Sequence, residues 1–566
     1  MAIGMAPAKW EVAAGRPFVG SSGKMFDEAL ASAKQHRAAV FVTNLIDFYI
    51  DDNDIFSVPE DILEQQFKRV FAEIERVKPN ILMILGGDTL CLLQEGYCGP
   101  KGSKQQKKMA AKWGITKWRG SLLELTLPSG RTQKCIAMMH PAAILRGLWK
   151  WHPIFKYIDV PRAVTQSLSP QLILKSREAI LGTSFQTAKD GLREARSKEW
   201  VSIDYEGYEF LTCLGFGWSD TSAMCIPITA VGKPAFWTIS QEAEIWELWC
   251  QLLEDIRVKK IAQNSPYEIV QSWKMGMHPR NIGFDTMHGH HCLYPDFGGV
   301  TDEWTGAKRN IGNPGHGLAF QVSQYCEGAP FYKDDGRHWR PELGQELFWQ
   351  YNCKDVFYTY DIAMKQITEL KELGLWDTYT RMYRDQTLNA CAIEWDGVAI
   401  DAERREEARA SLQAEIQQER EVALAGTPYQ EIITKVSKKG EKAKAGVLNI
   451  ASPKQMQEFI YKVRKYPIKL NKETKRPTTD ADTLALFALK YNDTALQSIL
   501  RMKEIQDEIN DVIDQKLDAR GRIHCHVKLG GTNGTRWSTT KSILGNGTNL
   551  QNIRRVGVAR SLFLPT

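Results

Sequence analysis

Hydrophobic and polar positions along the first 150 residues fall into alternating blocks. RAAVFVTNLI (37–46) has the nearly unbroken apolar run of a strand buried on both faces. NILMILGG (80–87) repeats it, and KCIAMMHPAAIL (134–145) does so again before running into a helix. Between the first two, Ile62, Phe67, Val70, Phe71 and Ile74 recur at helical spacing through 59–79. Strands alternating with helices predict a parallel α/β sheet, whose ligands collect beyond the carboxyl ends of the strands. Those ends carry Asn44, Gly86–Gly87 and His140–Pro141.

A different pattern follows. Residues 156–197 are mixed and rich in Lys and Arg, and predict a linker. WVSIDYEG (200–207), YEFLTCLGFGW (208–218) and AMCIPITA (223–230) then read as three antiparallel strands, followed by a helix over 241–256 and a strand over 259–264. This predicts a mixed sheet. From 376 the chain turns helical and charged, with Ala408, Leu412 and Ile416 striping one helix (402–425). Leu496, Leu500, Ile505, Ile509, Val512 and Leu517 stripe another (494–517). Each would be on the order of 35 Å long. Between them KVSKKGEKAKAG (435–446) holds five lysines, including Lys438, Lys439 and Lys442, against one glutamate. Two antiparallel helices with such a tip form an arm suited to gripping phosphates.

Composition narrows the classes. Across 566 residues, 43% hydrophobic and 25% charged is ordinary for globular chains and excludes a disordered or fibrous one. A net charge of +6 is compatible with a nucleic-acid partner without demanding one. No apolar run approaches the ~20 residues of a membrane span, and no secretory signal is visible at the start. The eleven cysteines form no CxxC pair, so a paired-cysteine zinc site is not expected and reduced thiols are. KGSKQQKKMAAK (101–112), with five lysines and no acid, reads as a solvated loop or a DNA-backbone contact.

Candidate chemistry sits in the second block. Asp204 and Glu206, two apart on a strand, project from one face. Glu268, in NSPYE, opens a helix after a strand, and Tyr351 and Asp355, in YNCKD, lie one helical turn apart. Carboxylates that hold two hard cations neutralise a phosphodiester and activate water, and a tyrosine beside one can hold that water. His288, His290 and His291 suggest zinc, but only Cys292 follows at ligand spacing.

The ordered set IDYEG, QNSPYE, FDTMHGHHCLYPD and YNCKD, with LAFQVSQYCEGAPFYKDDGR (318–337) before the last, resembles the DEDDy 3′→5′ proofreading exonucleases fused to family A DNA polymerases, bacteriophage members included. The resemblance implies that Asp204 bridges two Mg2+ ions (or Mn2+). Glu206 and Asp355 would complete one site, Glu268 would help hold the other, and Tyr351 would orient the water. The family usually has Asp at the position of Glu268, so the second ion is expected to bind loosely or through water. The histidine stretch becomes a helix near the substrate groove. IEWDGVAIDAERREEA (393–408) is similar to the entry of a polymerase thumb. DARGRIHCHVKLGGTNGTRWSTT and NLQNIRRVGVARSLFLP are similar to the first palm segment. This implies a minor-groove contact for Arg536 and places Asn549, Gln551 and Asn552 along the template. The family's metal-binding palm aspartates follow this point and are not in the sequence, so no polymerisation by this chain alone is expected. A separate polypeptide could carry the remaining palm and fingers.

GMAPAKWEVAAGRPFVGSSGKMFDEAL (4–30), VTNLIDF, ILMILGGDTL and MMHPAAILR resemble the uracil-DNA glycosylase superfamily, most closely the branch that often carries an iron–sulfur cluster. By that resemblance Phe18 would stack on a flipped base, Asn44 would read its edge, and His140 would stabilise the departing uracil anion. Met5 stands where many members have a water-positioning glutamate. Asp47 replaces an expected cluster cysteine and none precedes GMAPA, so no iron–sulfur cluster is expected. Most of the leading strand is expected to be absent.

The expected architecture is multidomain α/β. A Rossmann-like glycosylase-type parallel sheet (1–155) and the linker lead to a ribonuclease H-like exonuclease with a mixed sheet (198–375). A helical polymerase thumb with partial palm (376–566) completes it. The expected function is the proofreading portion of a family A polymerase, a two-metal exonuclease acting on single-stranded 3′ ends with the thumb on primer–template duplex, in a bacterial host cytoplasm if bacteriophage-encoded. Alternatives are a non-catalytic DNA-binding subunit of a split polymerase and a uracil-DNA glycosylase.

Overall fold

The computed structural model describes residues 1–51, 54–207, 210–232, 235–297, 314–425, 450, 452–471, 476–553 and 557–565. They form two compact units, 1–389 with 529–537, and 390–528 with 538–566. No helix among the described residues is long and apolar enough to cross a membrane.

The first unit holds two sheets. One contains β1 (Ala2–Gly4), β2 (Val42–Asn44), β3 (Leu82–Leu85), β4 (Leu122–Thr126) and β5 (Thr132–Met138) in the order β2-β1-β3-β5-β4, parallel except for β4. Every residue of β3 is buried, as its apolar run requires. The leading strand is the three-residue β1, paired on both sides. The strand expected over 37–46 shrinks to three residues after a 3-10 turn at Arg37–Ala39. The helix Glu60–Val77 buries Leu63, Val70 and Ile74 on the sheet and carries Glu60 and Asp61 at its positive end. The lysine-rich 101–112 segment is mostly helix (Lys104–Lys112), with Lys112 paired to Glu95.

The second sheet contains β6 (Glu178–Leu181), β7 (Trp200–Glu206), β8 (Cys213–Gly217), β9 (Ser222–Pro227), β10 (Lys259–Ala262) and β11 (Ile282–Asp285), ordered β11-β10-β7-β8-β9-β6. Pairing is antiparallel through β7, β8 and β9 and parallel elsewhere. The 28-residue helix Gln345–Glu372 packs on it. The segment read as a linker is built into both layers. Helix Val160–Gln166 packs in the core of the first sheet, β6 is the edge strand of the second, and helix Phe185–Arg196 lies against helix Ile239–Glu254. Residues 376–389, expected to open the thumb, belong to this unit. The Tyr379 hydroxyl accepts from the Asp285 backbone at 2.8 Å.

In the second unit, helices Ala402–Leu424 and Thr494–Glu508 run antiparallel, joined by Arg501–Glu415 at 2.7 Å and by Arg405 donating to Ile513 O at 2.7 Å. Ala408 and Leu412 are buried between them. The later helix ends earlier than its stripe suggests, passing into a π turn at Ile509–Ile513. Lys438, Lys439 and Lys442 lie outside the described residues.

A fully buried ion pair ties the two layers of the first unit together. The Arg119 guanidinium meets Asp159 at 2.6 Å, with neither side chain exposed, and donates to Ser323 Oγ at 2.9 Å. Removing one partner of such a pair strands a desolvated charge. Arg119→Met should therefore lower the unfolding free energy by about 3–5 kcal/mol. Breaking the exposed Lys198–Glu194 pair should cost under about 1 kcal/mol. Urea unfolding followed by tryptophan fluorescence checks both.

Candidate functional site

Asp204 and Glu206 project from the end of β7, half-buried, under helix Gln345–Glu372. That helix brings Asp355 over them, and single carboxylate oxygens of Asp204, Glu206 and Asp355 all lie within 4.8 Å of one another. Among the described residues this is the one His/Cys/Asp/Glu group of three that close. The approach depends on Gly215 in β8, where a Cβ would sit 2.3 Å from Asn352 Oδ1. Asn352 uses the space to donate to Asp204 Oδ2 at 2.7 Å.

Three acids packed this closely repel. Withdrawal from water and then the Asp355 charge push Asp204 up to about 8. Withdrawal from water and then Asp204 raise Glu206 as well. Lys333 offsets part of this, donating to Asp355 Oδ2 at 2.8 Å and to the Tyr351 hydroxyl at 3.0 Å. Burial alone would depress its ammonium, yet the Asp355 charge holds it well above the usual lysine range. The Tyr332 hydroxyl donates to Asp355 Oδ1 at 2.5 Å. Burial raises the Tyr351 phenol, which stays protonated. Sequence reasoning missed Lys333, Tyr332 and Asn352. The first two sit in the quoted 318–337 stretch, which carried no carboxylate pattern of its own.

Glu268 lies outside the close group, on helix Pro266–Lys274. It is buried, its Oε2 has no hydrogen-bond partner among the described residues, and burial followed by the Asp204 charge raises its pKa. Asp285 shapes the turn before it by accepting from Ser265 N at 2.6 Å and Ser265 Oγ at 2.8 Å. Crowded carboxylates and an orphaned buried oxygen suit hard divalent cations.

The histidines form a neutral core cluster. His290 Nδ1 is 2.7 Å from His316 Nδ1, its Nε2 is 3.0 Å from Gln324 Oε1, and His291 Nδ1 is 2.7 Å from the Tyr383 hydroxyl.

At the carboxyl ends of the first sheet, Phe18, Asn44 and His140 converge. Phe18 is held at φ 58°, a costly conformation for a side chain of this size. Its ring centroid is 5.6 Å from that of His140. Gly4 keeps a slot beside Phe18 and Asn44: a Cβ there would be 2.4 Å from Asn44 Oδ1 and 2.9 Å from the Phe18 ring. His140 Nδ1 accepts from Ala142 N at 3.1 Å, which leaves Nε2–H as a donor. Burial and then Arg146 lower its pKa to about 4, so the ring is neutral. Met5 is half-buried against the sheet core and offers no carboxylate. Asp47 faces Arg69 at 3.5 Å.

Comparisons with known proteins bear on this pocket. A family model of the uracil DNA glycosylase superfamily matches residues 1–155. The type-4 uracil-DNA glycosylase of Pyrobaculum aerophilum is 30% identical over 146 residues, 26% of this chain and 67% of that protein. Through residues 1–155 the chain belongs to the uracil-DNA glycosylase superfamily. The type-4 enzyme of Archaeoglobus fulgidus is 27% identical over 143 residues, 25% of this chain and 65% of that protein. That of Thermotoga maritima is 28% identical over 144 residues. The chain thus spans about two thirds of the length of the curated relatives it matches. Among solved structures, the POL domain of Pol1 from M. smegmatis, in complex with DNA primer-template and dNTP, is similar with a TM-score of 0.46 and 18% identity, covering 68% of this chain and 57% of that one. Beyond the glycosylase-superfamily domain, Asn549 caps a 3-10 turn carrying Gln551 and Asn552, both exposed, and Arg536 is exposed.

The buried histidines make stability depend on pH. Burial lowers His290 and His291 to about 4 and His316 to about 2, below the ordinary 6.5 of an unfolded chain. The unfolded state therefore takes up protons first. Each of these histidines contributes stability that is full above pH ~6.5 and is lost as pH drops toward 4, by about 1.4 kcal/mol per pH unit, against an opposite contribution from the raised Asp204, Glu206 and Glu268 carboxyls. Urea midpoints of parent and His316→Gln measured between pH 7.5 and 4.5 check this: relative to pH 7.5, the variant should lose less stability on acidification than the parent.

Proposed function

We propose that the carboxylate centre is a metal-dependent 3′→5′ exodeoxyribonuclease, the proofreading part of a family A polymerase assembly. The observation that carries it is the close triad of Asp204, Glu206 and Asp355 beside a tyrosine hydroxyl held by Lys333. The ordered motifs in the sequence support the same reading. Asp204, Glu206 and Asp355 would hold one Mg2+ (or Mn2+), and Glu268 with Asp204 a second. Such ions neutralise the scissile phosphate and acidify the attacking water. The chain's own groups do the positioning. Asn352 fixes Asp204, Lys333 fixes Asp355 and the Tyr351 phenol, and that phenol orients the water. The water oxygen attacks phosphorus, the bond from phosphorus to the 3′ oxygen breaks, and a 5′-mononucleotide leaves while the new 3′-hydroxyl takes a proton. The substrate is a frayed single-stranded 3′ end, with the paired helices of the second unit and Arg536, Asn549, Gln551 and Asn552 available to duplex DNA.

Asp204→Ala should lower magnesium-dependent release of labelled 3′ nucleotides at least about 100-fold while DNA binding stays nearly unchanged. Equal rates in variant and parent would overturn the assignment.

The Phe18, Asn44 and His140 pocket supports a second activity, uracil excision. An aromatic face, an amide and a neutral Nε2–H donor meet the needs of a flipped base and a departing anion. The parent should release uracil from a single-stranded oligonucleotide, and His140→Ala should abolish that release. No release by the parent at high enzyme concentration would remove this reading.

A further inference from the structure

We propose that the glycosylase-superfamily domain positions Lys333 at the carboxylate centre, so that the first sheet is a working part of the nuclease. This rests on the nuclease reading above. The segment from the end of helix Leu318–Tyr325 to helix Lys333–Arg337 is gripped from both sides. On one side, Leu122 N, on the outer edge of β4, donates to Gly328 O at 2.8 Å. Arg119 donates to Ser323 Oγ, and Arg162, just past that domain, donates to Ser323 O at 2.7 Å and Gln324 O at 2.9 Å. Two guanidinium groups thus serve the carbonyl end of that helix, where cations are favoured. Further along, the Lys117 ammonium pairs with Asp334 at 3.0 Å and lies 5.6 Å from the Phe331 ring centroid. The Trp118 ring packs on the same phenylalanine, with centroids 5.6 Å apart.

On the other side the segment delivers Tyr332 and Lys333 to Asp355 and Tyr351. The partner of Lys117, Asp334, is the residue next to Lys333. A lysine side chain is long and rotamer-rich, and holding its ammonium at one place costs entropy unless its backbone is fixed. Lys333–Arg337 is a single short turn of helix and cannot hold itself. The contacts from Lys117, Trp118 and Leu122 supply the fixing. The helix that carries Lys117 and Trp118, Ile115–Trp118, also abuts Gly87, where a Cβ would lie 3.3 Å from Ile115 N. Lys117 and Trp118 are positioning residues: their contacts are with Asp334 and Phe331 rather than with Asp204, Glu206 or Asp355, and they act through Lys333.

The test uses the full chain. Lys117→Met and Asp334→Asn should each lower kcat for magnesium-dependent 3′ nucleotide release about tenfold with KM for DNA unchanged. Lys117→Arg should restore it. In a Lys333→Met background, Lys117→Met should cause no further loss, because both act through one group. Labelling of Lys333 by an amine-reactive ester, read by mass spectrometry, should rise in Lys117→Met and in Asp334→Asn. Parent-like kcat and parent-like labelling in both variants would overturn the proposal, as would full additivity with Lys333→Met. A parent chain without nuclease activity would instead overturn the reading of the carboxylate centre, and the labelling would still decide whether the first domain fixes Lys333.

Discussion

Mutual repulsion among carboxylates withdrawn from water is the constraint around which the second sheet is arranged. Left alone, Asp204, Glu206 and Asp355 would spread apart or protonate, and the upward shifts of Asp204 and Glu206 express that pressure. The backbone prevents the spreading. β7 and the helix Gln345–Glu372 are each tied elsewhere, for instance by Ser202 Oγ donating to Val356 O at 2.7 Å. The absence of a side chain at Gly215 lets helix and strand approach. Lys333 supplies one positive charge, and the rest of the imbalance is what a divalent cation would relieve.

Much of this was legible beforehand, for a physical reason. The acids sit on long elements whose periodicity is strong: the β7 run WVSIDYE, and the helix that places Tyr351 and Asp355 one turn apart. Buried apolar runs marked β3 and β5 in the same way. Elements held by distant partners left no such trace. The stretch 156–197 read as a linker because it is mixed and rich in Lys and Arg. In the fold, Arg162 serves backbone carbonyls and Arg177 meets Asp361 at 2.8 Å. Lys333 was hidden for a related reason. A lone lysine in FYKDDGR has no pattern until the fold brings Asp355 to it. The histidines were read as a helix near a groove rather than a zinc site, and their hydrogen bonding as a buried network needed His316 and Tyr383, which are far away in sequence.

The two candidate centres use the loss of water in opposite directions. Around Asp204 it favours the neutral form of acids and so prepares a place for added positive charge. Around His140 it favours the neutral form of a base, and the Ala142 amide selects which nitrogen keeps its proton. A neutral imidazole can donate to a developing anion without first binding it as an ion pair. The strained Phe18 backbone and the side-chain-free Gly4 are local costs of packing the Phe18 ring and the Asn44 amide together at the strand ends.

The Arg119–Asp159 pair separates two meanings of the word module. The family match ends at residue 155, whereas the anion that Arg119 meets lies just past it at Asp159, and its other partner, Ser323, lies on a helix that packs on the long helix over the second sheet. The inherited unit and the unit that can stand in water by itself therefore have different edges. A fragment cut at that boundary would lose Asp159 and Ser323 together and uncover the Arg119 guanidinium.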